Sequence, residues 1–212
     1  MIMDRKGHFI TFEGLDGCGK STQVRHTAQI FRDQGFEVVE IRDPGSTAVG
    51  EAAREILLNP RYAEMDATTE ILLFAVARSQ LVAEVIRPAL EEGKVVLSDR
   101  FFDSTTAYQG YGRQLNLDMV LQINAIGAHN LVPDLTFIFD ISPETSAERM
   151  VRSGKSPDRM ENEKLAFHQR VREGFLEIAR QNPDRCRVLD GYEPEQEIRK
   201  KIHIELLKRH YI

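Results

Sequence analysis

Residues 8–21, HFITFEGLDGCGKS, decide the fold. The run His8–Glu13 is rich in apolar and β-branched residues and suits a strand buried within a sheet. The glycine-rich turn after it opens a helix expected from Lys20 to about Gln34. Gly14-x4-Gly19-Lys20-Ser21 satisfies the GxxxxGK[ST] pattern in full. That pattern works only between a strand and a helix. Its glycines let backbone N–H groups turn inward on a phosphate, with the helix N-terminus behind them. Gly14, Leu15, Asp16, Gly17, Cys18 and Gly19, with Lys20, Ser21 and Thr22 at the head of the helix, therefore read as a cradle for ATP. Lys20 is expected to reach the β/γ oxygens, and the Ser21 hydroxyl to bind Mg²⁺. Asp16 is an awkward charge beside a polyphosphate unless its carboxylate faces something else, such as a sugar hydroxyl. Cys18 reads as a small residue at a tight position.

Outward from this stretch, further strands are expected at Phe36–Ile41, Val95–Ser98, Leu135–Ile141 and Arg187–Leu189. Helical patterns cover about Ala48–Leu58, Asp66–Glu92, Asn116–His129, Pro143–Arg152, Glu161–Gln181 and Pro194–Arg209. Gly35 and Asn130 stand where left-handed helix ends are expected. The alternation predicts an α/β fold of the P-loop NTPase type, a five-stranded parallel sheet with helices on both faces and a helical lid. No repeat or linker divides the 212 residues, so 1–212 reads as a single domain.

Composition narrows the class. The chain is 42% hydrophobic and 29% charged, with a net charge of -5, which argues against a general nucleic-acid binder. Two cysteines give no disulfide framework. Met1–Gly7 carries no signal-peptide pattern, and no apolar run is long enough for a membrane helix. A cytoplasmic location is expected.

A P-loop alone does not separate switch, motor and transferase; the arginine-bearing segments do. Asp99-Arg100 closes the third strand at the carboxyl edge of the sheet, where open α/β folds bind ligands. Arg42 closes the second strand. Phe74 and Arg78, four residues apart, share one helix face and pair an aromatic platform with a cation. The connection Arg149–Glu161 carries Arg149, Arg152, Lys155 and Arg159 around Gly154 and Pro157, as suits a lid that excludes water from the donor.

Together these segments resemble thymidylate kinases of the bacterial type, within the nucleoside monophosphate kinases. The resemblance rests on Phe12-Glu13-Gly14-Leu15-Asp16-Gly17, Arg42-Asp43-Pro44-Gly45-Ser46-Thr47 and Phe74-x3-Arg78. Further marks are Asp99-Arg100-Phe101-x2-Ser104-x2-Ala107-Tyr108-Gln109-Gly110, Pro133-Asp134-Leu135-Thr136 and Asp158-Arg159-Met160-Glu161. It implies ATP-dependent phosphorylation of dTMP to dTDP with Mg²⁺, and a homodimer built through helices such as Asp66–Glu92. By position, Asp16 would contact the 3′-hydroxyl, and Arg42, Arg78 and Arg100 the acceptor phosphate and base. Phe74 would stack on thymine, Tyr108 would pack on the deoxyribose, and Gln109 or Ser104 would meet the base edge. Gly17 stands where one subgroup carries a catalytic arginine, which leaves that task to Arg152 or Arg159 of a lid at about 149–161. Lys20, Asp99 and Arg100 complete the catalytic candidates. Three positions depart from the family pattern: Asp43 replaces a longer acid, Ser46 a glycine, and Asn130 stands where a glycine is common. The alternatives are a kinase for another monophosphate or a deoxynucleoside, an NTP-binding switch, and a non-enzymatic nucleotide-binding subunit. No Asn-Lys-x-Asp guanine-reading motif supports a switch.

Overall fold

The computed structural model describes residues 7–154 and 157–212. Its sheet is built around β1 (His8–Gly14), which lies between β3 (Val95–Asp99) and β4 (Leu135–Asp140). β2 (Val38–Arg42) and β5 (Cys186–Asp190) form the edges, and every pairing is parallel, in the order β2-β3-β1-β4-β5. Register matters for the site. Phe12 stands opposite Asp99 and also opposite Phe137, so β3 ends two residues short of β1 and their C-terminal loops share one crevice.

The inner strands are apolar on both faces because helices cover both. Ile10, Phe12 and Leu97 pack with Val24, Ala28 and Phe31 of α1 (Lys20–Asp33), and with Phe167, Val171 and Phe175 of α8 (Leu165–Gln181). Ile202 and Leu206 of α9 (Glu195–Lys208) join the same core. Phe9, Ile41 and Val96 face the other way, onto Leu81, Val82, Ile86 and Phe101. No helix among the described residues is long and apolar enough to cross a membrane.

Three helices depart from their sequence pattern. α2 (Ala48–Leu58) forms as expected, capped by the Thr47 hydroxyl. The long helix expected to Glu92 begins as α3 (Ala67–Leu81), with Asp66 accepting the N–H groups of Thr68 and Thr69. It then widens into a π turn at Val82–Ile86 before α4 (Arg87–Glu91). Pro88 explains the break: it has no N–H for the carbonyl of Glu84, and its ring crowds that position in a regular α-ladder.

No helix is expected after Arg100, yet α5 (Phe102–Thr105) runs into a second π segment at Thr106–Gly112. Its threonines and glycines are weak helix formers, so packing supplies the helicity. A Cβ on Gly112 would come within 2.7 Å of the Phe167 ring, so α8 can close on this segment only where no side chain stands.

α6 (Leu117–Gly127) is capped by Asn116, and Asn130 beyond it takes the expected left-handed conformation, at φ 58°. α7 (Pro143–Arg152) agrees with its pattern. α8 begins at Leu165 rather than Glu161, because the Asp158 carboxylate accepts the N–H groups of Met160 and Glu161 and closes a separate turn. Lys155 of the expected lid lies outside the described residues, as do positions 1–6 of the N-terminal segment.

Candidate active site

The loop between β1 and α1 has left-handed glycines at Gly14, Gly17 and Gly19. At Gly14 the requirement is double, since a Cβ there would also meet the Phe139 carbonyl oxygen at 2.5 Å. α1 starts at Gly19 with no side-chain cap and no acid in its first turn, which leaves its N–H groups open to an anion. Lys20 is folded back over the loop, donating to the carbonyl oxygens of Gly14 (3.1 Å) and Leu15 (2.8 Å). The Ser21 hydroxyl donates to Asp99 Oδ2 at 2.5 Å. Lys20, Ser21, Thr22, Asp99 and Arg149 line one cleft around the head of α1.

Arg100 joins this cleft to a second cavity, and it borders both. Its backbone is left-handed, at φ 72°, held by its N–H on the Phe12 carbonyl (3.0 Å). That turn aims the guanidinium back across the end of β1. Nη1 donates to Gly14 O (2.8 Å) and Ser104 Oγ (2.9 Å), and Nη2 to Asp16 Oδ1 (2.8 Å) and Tyr108 Oη (3.3 Å). Burial works against the Asp16 charge, but Arg100 and Lys20 outweigh it and hold the carboxyl down to about 2. Beneath this pair, Glu13 accepts the Phe101 N–H (2.7 Å) and the Ser104 hydroxyl (2.5 Å). Burial, with Asp103 nearby, pushes the Glu13 carboxyl up to about 8. Glu13 thus grips Arg100 through Ser104 and through the peptide that follows it.

The second cavity is narrow, about 80 Å³ as it stands. Phe74, Arg78, Ser104, Thr105, Tyr108 and Gln109 line it beside Asp16 and Asp43. Arg78 is almost wholly buried, with Nε on Asp43 Oδ2 (2.6 Å), Nη1 on Asn124 Oδ1 (3.1 Å) and Nη2 on Thr105 Oγ1 (2.8 Å). Burial raises the Asp43 carboxyl despite Arg78. Its Oδ1 is buried with no partner among the described residues. The shortened acid therefore holds Arg78 rather than Arg100. Ser46 takes the left-handed conformation its position demands (φ 64°), with its N–H on Glu51 Oε1 (2.7 Å) and its Oγ accepting the Arg42 N–H (2.9 Å).

The remaining arginines sort differently from their sequence reading. Arg42 is exposed at the cleft rim and paired with Glu51. Arg152 stands on the surface of α7 against Glu148 (3.6 Å). Arg159 is buried, with Nη2 on Glu70 Oε2 (2.6 Å) and Nε on the Leu57 carbonyl (2.8 Å), pointing away from the loop. Arg149 reaches the loop instead, donating to the carbonyl oxygens of Gly17 (3.2 Å) and Gly191 (2.9 Å). Arg54 of α2, which the sequence reading passed over, borders both cavities and donates to the Pro44 carbonyl (2.9 Å). Only its distance from every motif hid it; nothing local marks it. Ser104 is committed to Glu13 and Arg100, and Thr105 to Arg78; Gln109 lines the cavity beside them.

The donor set also bears on Mg²⁺. Among the described residues no cluster of three or more His, Cys, Asp or Glu could cage a metal. Ser21 Oγ and Asp99 offer hard oxygens beside the phosphate cradle, the sparse protein contribution usual for Mg²⁺ carried on a nucleotide.

Comparison with known proteins identifies the chain's relatives. A family model described as thymidylate kinase matches residues 12–202. The thymidylate kinase of Pelotomaculum thermopropionicum is 50% identical over 203 residues, covering 96% of this chain and 92% of the relative. That of Chlorobaculum tepidum is 47% identical, covering 91% of this chain and 94% of the relative. The crystal structure of the Ehrlichia chaffeensis thymidylate kinase superposes with a TM-score of 0.73 at 32% identity, covering 95% of this chain and 99% of that one.

Proposed function

Because the chain belongs to the thymidylate kinase family and phosphorylates dTMP to dTDP with ATP as donor, we propose that transfer runs between the two cavities, across the Asp16–Arg100 pair. The observation that supports this most is that Asp16 and Arg100 border both spaces while bonded to each other. ATP phosphates lie in the loop, on the N–H groups of α1 and on Lys20, which leaves the two carbonyls it now holds. The acceptor lies in the second cavity, its base against Phe74 and Arg78, its sugar against Tyr108 and Asp16, and its phosphate toward Arg100, Arg54 and Arg42.

An acceptor phosphate is already ionised at neutral pH, so no strong base is required. In-line placement and charge neutralisation carry the rate. Bound Mg²⁺ supplies part of that neutralisation, with Ser21 and Asp99 as its protein-side partners. Arg149 already touches the loop, and Arg152, one turn further along α7, comes within reach when the lid at about 149–161 closes. Arg159 anchors the lid base on Glu70.

We read residues 1–212 as one domain, working as a homodimer in the cytoplasm. α3 and α6 offer exposed Leu72, Val76, Leu121 and Ile126 as a self-complementary face. The test is ADP release with ATP, Mg²⁺ and dTMP together, alongside light scattering for mass. Release without dTMP, or undiminished release in Arg100→Ala, defeats the reading.

A further inference from the structure

Glu70 sits on α3, outside every motif, with its side chain fully buried. It only accepts. Oε1 takes Gln109 Nε2 (2.8 Å) and Arg113 Nε (3.1 Å), and Oε2 takes Arg113 Nη2 (3.0 Å) and Arg159 Nη2 (2.6 Å). A guanidinium has no acceptor, so both arginines must donate and Glu70 stays an ionised carboxylate without a proton to give. In keeping with this, hydrogen bonds from Arg113 and Gln109 outweigh burial and lower its pKa.

The consequence falls on Gln109. An amide has two ends, and which one faces where is settled by its partners. Against a carboxylate the NH₂ end must face Glu70. The carbonyl oxygen is then the group Gln109 offers to the cavity that it lines. Arg78, lining the same cavity, spends three of its five N–H bonds on Asp43, Asn124 and Thr105. What Arg78 adds to the cavity is donors. A donor beside an acceptor complements a base edge carrying a carbonyl beside an imide N–H, as in thymine and uracil. Cytosine offers an amino group and a bare ring nitrogen there, wrong at both positions.

We propose that Glu70 is a positioning residue that locks the Gln109 amide with its oxygen toward the acceptor and so sets the preference for imide-bearing bases. This rests on the reading that the second cavity takes the acceptor base. In Glu70→Gln, the new amide keeps its oxygen on the two arginines, where the 2.6 Å contact is shortest, and turns its NH₂ toward Gln109. Gln109 then turns over and presents a donor to the cavity.

The experiment compares kcat/KM for dTMP, dUMP and dCMP in the full chain, in Glu70→Gln, in Gln109→Leu and in the double variant. The native chain should prefer dTMP and dUMP over dCMP by at least about 10²-fold, since a site built to pair a polar edge rejects its mismatch strongly. Glu70→Gln should lower the dTMP:dCMP ratio at least tenfold. It should have no further effect on that ratio once Gln109 is Leu, because residues acting through one contact are not additive. A purely structural Glu70 would lower both substrates alike. An unchanged ratio in Glu70→Gln, or an equal fall on the Gln109→Leu background, overturns the proposal while leaving the cavity assignment standing. A native chain indifferent to dCMP overturns both. If Glu70→Gln does not fold, Glu70→Asp keeps the charge on the arginines and withdraws it from Gln109, and the same ratio decides.

Discussion

The two cavities are built on opposite plans. The donor cleft is centred on one contiguous loop, Gly14–Thr22, whose backbone N–H groups are its main offer to a ligand. The acceptor cavity draws residues in twos from α2, α3, α5, the π segment after it and the turn before α8, and buried ion pairs hold its walls. A backbone cradle can lose a side chain and keep its shape. A buried charge network cannot lose a member without stranding another charge. The contrast therefore predicts that donor-side substitutions separate activity from stability, and acceptor-side ones do not.

Lys20→Met is the strongest test. It should lower kcat on the order of 10³-fold by removing the cation at the transferring phosphoryl. The thermal midpoint should move little, because the hydrogen bonds of Lys20 stay within its own loop, on two carbonyls and the Cys18 sulfur, and Arg100 remains on Asp16. Unfolding of this variant would break the contrast from the donor side. Arg78→Met should cost about 3–5 kcal/mol in urea unfolding, since it leaves the Asp43 carboxylate buried without its counter-charge. If it folds as firmly as the parent and loses only turnover, the contrast fails from the acceptor side.

Glu13 sharpens the comparison because it lies under the junction. Its carboxyl is raised from 4.5 to about 8 in the folded chain, so the folded form binds its proton more tightly than the unfolded form does. The stability it contributes is whole below pH 4.5 and is lost as pH rises toward 8. Thermal midpoints measured across that window should fall with pH, and Glu13→Gln should flatten the slope. The groups facing Glu13 are Asp103, Arg100, Arg185 and Cys186. Ser46→Gly should have the smallest effect. Relief of a left-handed backbone (about 1 kcal/mol) offsets the lost hydroxyl bonds (about 1 kcal/mol), leaving stability and turnover close to the parent.

The same contrast governs what could be read from the sequence. The loop was legible because its chemistry is local: glycines, a lysine and a serine at fixed spacing between a strand and a helix. The five strands were legible too, within two residues at their ends, because buried parallel strands are continuous apolar runs. Arg78 and Phe74 could be paired by their four-residue spacing. Nothing in the sequence said that Arg78 would be tied to Asp43, or that Arg159 would turn inward to Glu70, since those contacts join segments 35 or more residues apart. Arg54 and Glu70 lie in no motif and gain their roles only when α2 and α3 pack together. The helix after Arg100 was hidden because its threonines and glycines argue against a helix that tertiary packing imposes.

The π turn at Val82–Ile86 carries one residue more than the α-helix around it needs. Deleting a single codon there would remove that extra residue, and each residue accounts for about 100° of rotation. The preceding turns would then swing Glu70, Phe74 and Arg78 together off the cavity, or the following ones would pull Pro88 and β3 out of phase. The segment is therefore a length gauge. It should tolerate many substitutions among its apolar residues and almost no change in their number.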